Sequence, residues 1–178
     1  MPRRELPDRH SKPPLHYYGF PFTTQYAIDY AKRHHLTIEL AEEDREAFGG
    51  RTVFDFGDVN DSHFADPDLR HFVVVGSRHL MFKHLSRKCG MPLHSGRPFS
   101  LEWDGIIALW TNYDVKERWR MCYNYDEVVE ILTSAMNEGD GPGSKLQWWF
   151  DWDNDVVCTA CSVLLQTLTV RSGCIHKC

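Results

Sequence analysis

The most constraining feature of this sequence is an acid-free segment, residues 69–100, that lies between two strongly acidic ones. It contains six Lys or Arg residues and no Asp or Glu, so its formal charge is +6. Residues 39–68 and residues 101–155 each have a formal charge of −8. A cationic segment between acidic ones either packs against them or leaves its positive charge available to bind an anionic partner. The sequence leaves both internal charge matching and an anion-binding site open.

Length and composition are typical of one globular domain. The chain has 178 residues, of which 42% are hydrophobic and 25% are charged. We expect a mobile arm over residues 1–15, a globular domain over 16–171 and a polar tail over 172–178. The N-terminus lacks the apolar core of a secretion signal and no run of about 18 apolar residues occurs, so we expect an intracellular protein, cytoplasmic or nuclear, without a membrane partner. The net charge of −5 argues against nucleic acid as a partner.

Periodicity and capping residues predict an α+β fold. Apolar residues at helical spacing, with Thr23 or Thr24 and Asp126 as caps, predict helices over 24–35, 41–48, 126–138 and 155–170. Runs of β-prone residues predict strands over 51–56, 72–75 and 120–123, and Asp104-Gly105 predicts a hairpin over 101–110. We expect a single domain with a small mixed or antiparallel sheet of about four or five strands, covered by about three to five helices.

The anion-binding hypothesis concerns the end of the predicted strand 72–75. If residues 76–77 end that strand and a helix begins there, free backbone N–H groups point at an anion, and the next residues add positive charge. Helix formers in residues 78–88 favour this continuation, although a hairpin at 76–77 with a returning strand over 79–84 stays open. Neither nucleotide-binding fingerprint occurs. The candidate anion-binding residues are Ser77, Arg78, His79, Arg87 and Lys88.

Aromatic residues near the C-terminus supply a second candidate site. Residues 148–152 read WWFDW, with four aromatic side chains in five positions. Successive side chains of a strand alternate between its two faces, so these four cannot all point inward. Exposed aromatic side chains mark interfaces. We therefore predict a protein-partner interface at Trp148, Trp149, Phe150 and Trp152.

The metal-ligating residue types give weak patterns, so we predict no cofactor. Residues 151–155 begin like a calcium loop, but Val156 stands where that loop needs glycine for its sharp turn. A zinc site is the weaker alternative, because cysteine spacing near the C-terminus permits four tetrahedral ligands. The first cysteine pair lies in an apolar, helix-like segment, where cysteine more often packs as a small hydrophobic residue. The zinc ligands would be Cys158, Cys161, Cys174 and Cys178, or His176 in place of the last.

Two functional hypotheses follow from these patterns. The first is a non-enzymatic binding domain that contacts a protein partner through its aromatic and cationic segments. The second is an enzyme that acts on a phosphorylated or otherwise anionic small substrate, with residues 76–88 at its anion site. A cleft lined by Arg78, His79 and an acid cluster would favour the enzyme, whereas an exposed apolar patch without a deep pocket would favour the binding domain.

Overall fold

A computed structural model describes residues 14–122, 124–139, 141, 143 and 145–151. The strands are β1 (His16–Phe22), β2 (Thr37–Glu39), β3 (Val53–Asp55), β4 (His94–Gly96), β5 (Gly105–Thr111) and β6 (Gln147–Phe150). The helices are α1 (Thr24–Arg33), α2 (Ser62–Ala65), α3 (Pro67–Lys88), α4 (Val115–Met121) and α5 (Tyr125–Met136), with 3₁₀ turns at Glu42–Asp44 and Phe56–Asp58. The predicted helix over residues 155–170 lies outside the described residues.

The strand β5 lies inside the main sheet, and its sequence explains that position. It reads GIIALWT, and every residue before the final threonine is buried. A continuous apolar strand is stable where neighbours cover both of its faces. The sheet has the order β4-β5-β1-β6 and its pairs are antiparallel, while β2 and β3 form a separate two-stranded ribbon. The predicted α+β single-domain fold with an antiparallel sheet is confirmed.

The segment that follows β4 joins the two edges of the main sheet. The Phe99 N–H donates to the Phe150 carbonyl oxygen at 2.9 Å, and Pro98 forms an isolated bridge with Asp151. Because β4 and β6 are the edge strands, this contact requires the sheet to curl until its edges meet. We call residues 95–99 and 150–151 the curled end of the sheet.

The longest helix, α3, shows that the predicted central strand over residues 72–75 is wrong. Asp66 caps this helix, because its Oδ1 accepts the N–H groups of Asp68 and Leu69 at 2.8 and 3.2 Å, and Pro67 occupies the first turn. Each valine costs a helix roughly 0.5 kcal/mol relative to alanine, which burial of one helix face outweighs. The predicted helix over 78–88 is the second half of α3, so the hairpin alternative is also wrong. The buried residues of α3 follow helical spacing: Val73, Gly76, Ser77, Leu80, Met81 and Leu85.

Three shorter predictions are wrong as well. Residues 101–104 form no strand, because β5 pairs with β1 and β4, and Asp104 instead accepts the Thr24 N–H at 2.7 Å. Residues 120–121 belong to α4 and not to a strand. Residues 41–48 contain a 3₁₀ turn without buried residues, and a helix this short needs core contacts to be stable in water.

The predictions for α1, β3 and α5 are confirmed with small shifts of their ends. Thr23 caps α1, since its Oγ1 accepts the Tyr26 N–H at 3.2 Å. The strand predicted over 51–56 shortens to β3. The N-cap position of α5 is Asn124 and not the predicted Asp126, which lies in the first turn of the helix. Acidic residues in that turn still favour the helix through its dipole.

Two hydrophobic clusters hold these elements together. The first packs the main sheet against α1, α3 and α5, and Phe20, Tyr30 and Leu132 lie within it. The second packs α1 and α3 against the β2–β3 ribbon through Phe54 and Phe56. Both clusters include residues of α1 and α3, so this helix pair is the support on which the sheet and the ribbon are held.

Candidate functional site

The five predicted anion-binding residues are spread along α3. Ser77 is buried in the middle of the helix, and its Oγ donates to the backbone carbonyl oxygen of the preceding turn at 3.1 Å. His79 is exposed, while Arg78 is half-buried. Arg87 and Lys88 lie in the last turn, about 14 Å along the helix axis from Arg78 at 1.5 Å per residue. Because residue 77 is not at a helix N-terminus, the expected cradle of backbone N–H groups is absent from α3.

In the described part of the chain, the cations of α3 are not matched by direct ion pairs. Within the described residues, no salt bridge joins a lysine or arginine of this helix to a carboxylate. The acidic segment before it instead forms a pair of its own, between Arg51 and Asp58 at 3.0 Å. Ion pairs within the described residues therefore do not account for the positive charge of α3.

A cleft of about 630 Å³ opens between α3 and the curled end of the sheet. Arg78 and Phe82, one helical turn apart, form its helix wall. The aromatic residues of the other walls are Tyr17 and Phe22 of β1 and Trp103 of the loop before β5. The polar and charged groups that line it are Ser95, Arg97, Ser100, Asp104 and Asp151. Arg78 and one residue of the acidic pattern 151–155 thus line the same cleft, while His79 is not part of it.

Arg78 is tied to the first turn of α1. Its Nη2 donates to Thr24 Oγ1, and the backbone N–H of the same threonine donates to Asp104 Oδ2 at 2.7 Å. The Arg78 Nε is buried and has no hydrogen-bond partner in the described part of the chain. Arg45 and Arg118 have a buried Nε of the same kind, and neither lines the cleft.

Five aromatic side chains form a continuous row across one face of the main sheet, which we call the aromatic surface. Trp148 contacts Tyr18 with ring centroids 5.1 Å apart, and Tyr18 stacks on Trp110 at 5.3 Å. Trp110 contacts Trp119 of α4 and Tyr125 of α5 at 5.5 and 5.6 Å, and these two rings are 4.9 Å apart. Antiparallel register explains the first contacts, because Tyr18 pairs with Trp110 on one side and Trp148 on the other.

The aromatic surface has a buried centre and exposed ends. Trp110 is 3% exposed, whereas Trp119 is 53% and Trp148 47% exposed. The rings at the two ends are held in place by their neighbours while half of each faces solvent. Rigid, half-exposed aromatic side chains of this kind are enriched in the central part of protein interfaces.

The predicted aromatic segment divides between the two faces of β6. Trp148 and Phe150 alternate to the face that carries the aromatic surface, and Phe150, 56% exposed, packs on the ring of His16. Trp149 is half-buried, and its indole N–H donates to the Gly19 carbonyl oxygen at 3.2 Å. Trp152 lies outside the described residues.

Four members of the aromatic surface were missed at the level of sequence. Tyr18 and Trp110 lie in apolar strands, where an aromatic residue is expected in the core. Trp119 and Tyr125 lie outside the aromatic segment 148–152 on which the interface was predicted. The even spacing of aromatic residues along β1 was the one sequence signal for this surface. Which aromatic residues of other strands lie beside them depends on the order of strands in the sheet.

A second polar cluster joins α1, α3 and the end of α5. The Tyr30 hydroxyl lies 3.1 Å from His84 Nδ1, and His34 Nε2 lies 2.8 Å from Glu138 Oε2. The two histidine rings are 5.0 Å apart in an edge-to-face arrangement. Burial, with a contribution from the charge of Lys88, lowers the pKa of His84. The cluster fastens three helices together and does not line the cleft.

A third polar cluster fixes α4 to β4. His94 Nε2 lies 2.6 Å from Asp114 Oδ2, and the buried Arg118 contacts both His94 and the Pro92 carbonyl oxygen. Although burial acts to raise the pKa of Asp114, hydrogen bonds from Thr111 and His94 keep it below its ordinary value. These contacts hold Trp119, the neighbour of Arg118, at the end of the aromatic surface.

The described residues contain no group of three or more His, Cys, Asp or Glu side chains arranged to hold a metal ion. Two cysteines, Cys89 and Cys122, are free thiols packed against the core. Burial raises the pKa of Cys89 to about 11, so it is not a thiolate at neutral pH. The proposed zinc ligands Cys158, Cys161, Cys174 and Cys178 lie outside the described residues.

Comparison with known proteins gives no match: no family model, no curated protein and no solved structure is significantly similar to this chain. Among the helices of the described part, none combines the length and apolar character that a membrane crossing requires.

Proposed function

We propose that this chain is a non-enzymatic binding domain that contacts a partner protein through the aromatic surface. The observation that carries the proposal is the exposure of Trp119 and Trp148, each about half open to solvent, at the two ends of one row of stacked rings. Tryptophan and tyrosine are the residues that most often dominate the binding energy of an interface. Both can bury a large area with little loss of side-chain freedom.

The elements that hold the row of aromatic rings in place favour a binding interface over an incidental arrangement of the rings. Trp119 is held by α4, which the contacts of Arg118 with His94 and the Pro92 carbonyl oxygen fix to the sheet. Trp148 is held by β6, which pairs with β1 along its length. Both tryptophans are therefore presented in fixed positions, which lowers the entropy lost on binding.

The position of the ionisable groups agrees with binding rather than catalysis. Catalytic groups with altered pKa values usually converge in one pocket. Here burial raises the pKa values of Tyr26, Tyr30 and Cys89, and all three lie within or against the hydrophobic core. None of these three residues lines the cleft beside α3.

The test begins with capture of partners on the full-length chain and on two variants, Trp119→Ala and Trp148→Thr. The threonine keeps β-propensity on β6. A partner captured by the wild type is then purified, and its dissociation constant is measured against each variant. We expect each substitution to weaken binding by about tenfold or more, because an interface hot spot contributes roughly 2 kcal/mol or more. The control is Val75→Ala, which removes a half-exposed apolar side chain of α3 away from the aromatic surface.

Three outcomes would contradict the proposal. A captured partner that binds both variants with unchanged affinity uses another surface. Self-association of the wild type in sedimentation, lost in both variants, identifies a second copy of this chain as the occupant. The third outcome concerns a chain that ends at residue 151. If acrylamide quenches the fluorescence of Trp119 and Trp148 more strongly in that chain than in the full chain, residues 152–178 are the occupant.

A further inference from the structure

The cleft between α3 and the curled end of the sheet has the size of a small-molecule site, and its lining mixes aromatic side chains with polar and charged ones. Its volume of about 630 Å³ lies within the range of ligand pockets. Tyr17, Phe22, Phe82 and Trp103 supply apolar walls on several sides. A ligand with a flat apolar body fills such a space and removes these rings from water.

A glycine shapes one wall of the cleft. Gly96 of β4 lines the cleft, and a Cβ atom at this position would lie 2.7 Å from the ring of Tyr17. The missing side chain lets the tyrosine ring lie flat against the strand. Any other residue would displace that ring, so the shape of this wall depends on glycine.

Arg78 provides directional donors on the helix wall. A guanidinium group has five N–H donors, and the hydrogen bond of Arg78 to Thr24 Oγ1 uses one of them. Its Nε is buried, so only the terminal Nη groups can face a ligand in the cleft. A carboxylate beside these groups accepts charge-assisted hydrogen bonds, and a pair of parallel bonds is the arrangement that carboxylates prefer with arginine.

The other charges in the cleft restrict how much negative charge a ligand can carry. Arg97 adds a second cation on the strand side, whereas Asp104 and Asp151 add two anions. One oxygen of Asp104 is engaged by the Thr24 N–H. With two cations and two carboxylates in one space, recognition depends on the direction of the arginine donors and not on net attraction. A doubly charged phosphate monoester would be repelled by both aspartates.

We infer that this cleft binds a monocarboxylate with a flat apolar body, whose carboxylate pairs with Arg78 while its body lies among the aromatic walls. This inference goes beyond the proposed partner interface and does not depend on it. No chemical step is assigned to the ligand.

The experiment titrates the ¹⁵N-labelled full-length chain with phenylacetate and follows amide chemical shifts. We expect saturable shifts at Gly96, Gly105 and Phe82, and a weaker response to phenylacetamide, which lacks the charge, and to phenyl phosphate, which carries more. Arg78→Gln should weaken phenylacetate binding by about tenfold or more, since charge-assisted hydrogen bonds are lost. The control is Arg87→Gln, which removes an exposed arginine from the last turn of the same helix.

A second variant provides an independent test in case Arg78→Gln does not fold. Ser95 lines the cleft and is exposed, so Ser95→Trp fills the space while leaving Arg78 intact, and it should abolish the shifts. Unchanged phenylacetate affinity in both folded variants would overturn the inference, as would saturable shifts confined to residues outside the cleft or no binding by any probe. Retention of binding in Trp119→Ala would show that the two sites are independent, so failure at one is distinguishable from failure at the other.

Discussion

The hydroxyl oxygens of Tyr18 and Tyr125 lie 3.4 Å apart, and this contact links β1 to the first turn of α5 at the centre of the aromatic surface. Both rings also stack on Trp110. The pair therefore connects the strand that organises the sheet to the helix that covers one end of it.

Tyr125→Phe removes the hydroxyl contact with Tyr18 and keeps the ring contacts. The hydrogen bond is long, so we expect its loss to lower the free energy of unfolding by less than about 1 kcal/mol. Tyr125→Ala also removes ring contacts with Trp110 and Trp119 and should cost about 2–4 kcal/mol. Urea unfolding measures both values. Equal costs for the two variants would mean that the hydroxyl pair, and not the rings, holds α5 to the sheet.

Alkaline pH should destabilise the fold through buried tyrosines. Burial raises the pKa of Tyr26 and of Tyr30 well above the ordinary value of 10.0. The unfolded chain then releases these protons at a lower pH than the folded chain, so the stability is full below pH 10.0 and falls as the pH rises towards the folded pKa values. Each tyrosine should contribute a slope of about 1.4 kcal/mol per pH unit to the loss.

Tyr26→Phe tests this alkaline effect with urea unfolding above pH 10. The variant loses the hydrogen bond from Tyr26 to the Ala135 carbonyl oxygen at 2.5 Å, so it is less stable at neutral pH. Its slope with pH should nevertheless be smaller by about 1.4 kcal/mol per unit than that of the wild type. An unchanged slope would show that the Tyr26 proton does not contribute.

Acidic pH should destabilise the fold through His84. Burial, together with the charge of Lys88, lowers the pKa of this histidine below its ordinary value of 6.5. The unfolded chain therefore takes up the proton first, so the contribution is present above pH 6.5 and is lost as the pH falls through the folded pKa. Between about pH 7.5 and about pH 5.5, the wild type should lose more unfolding free energy than His84→Gln does. His79→Gln, at an exposed position of the same helix, should retain the wild-type dependence.

Gly76→Ala should destabilise the protein although it improves helix propensity. The added Cβ would lie 2.7 Å from Phe56 Cζ in the second hydrophobic cluster. The gain in propensity is about 1 kcal/mol, and overpacking of a core costs about 1–3 kcal/mol, so we expect a net loss of up to about 2 kcal/mol in urea unfolding. The double variant Gly76→Ala/Phe56→Leu should recover part of that loss. Additive costs in this pair would contradict the proposed contact.

Local signals at the ends of α1 and α5 predicted both helices. Thr23 and the cationic last turn of α1, and the acidic first turn of α5, are visible in the sequence and keep their roles in the fold. Asp66 and Pro67, at the beginning of α3, are signals of the same kind. The run of valines over residues 73–75 nevertheless predicted a strand, although the buried residues of α3 recur at helical spacing.

The aromatic surface and the cleft could not be predicted from neighbouring residues in the sequence, because both depend on how distant elements pack together. Trp119 and Trp148 are distant in the sequence and lie in one row because β1 separates β5 from β6 in the sheet. Arg78 was identified as a candidate for a reason that proved wrong, the end of a strand, and it lines the cleft because α3 crosses the curled end of the sheet. Ser77 was selected for the same reason and is buried inside the helix.

The order of the main sheet also determines when the fold can be completed during synthesis. β1 is made first, yet its two neighbours are β5 and β6, and 130 residues separate Gly19 from its hydrogen-bond partner Trp149. Until those residues leave the ribosome, the apolar strand HYYGFPF has two open edges to which other chains can pair. Contacts this distant in sequence also slow folding. The edges of β1 are therefore covered only after β5 and β6 have been synthesised.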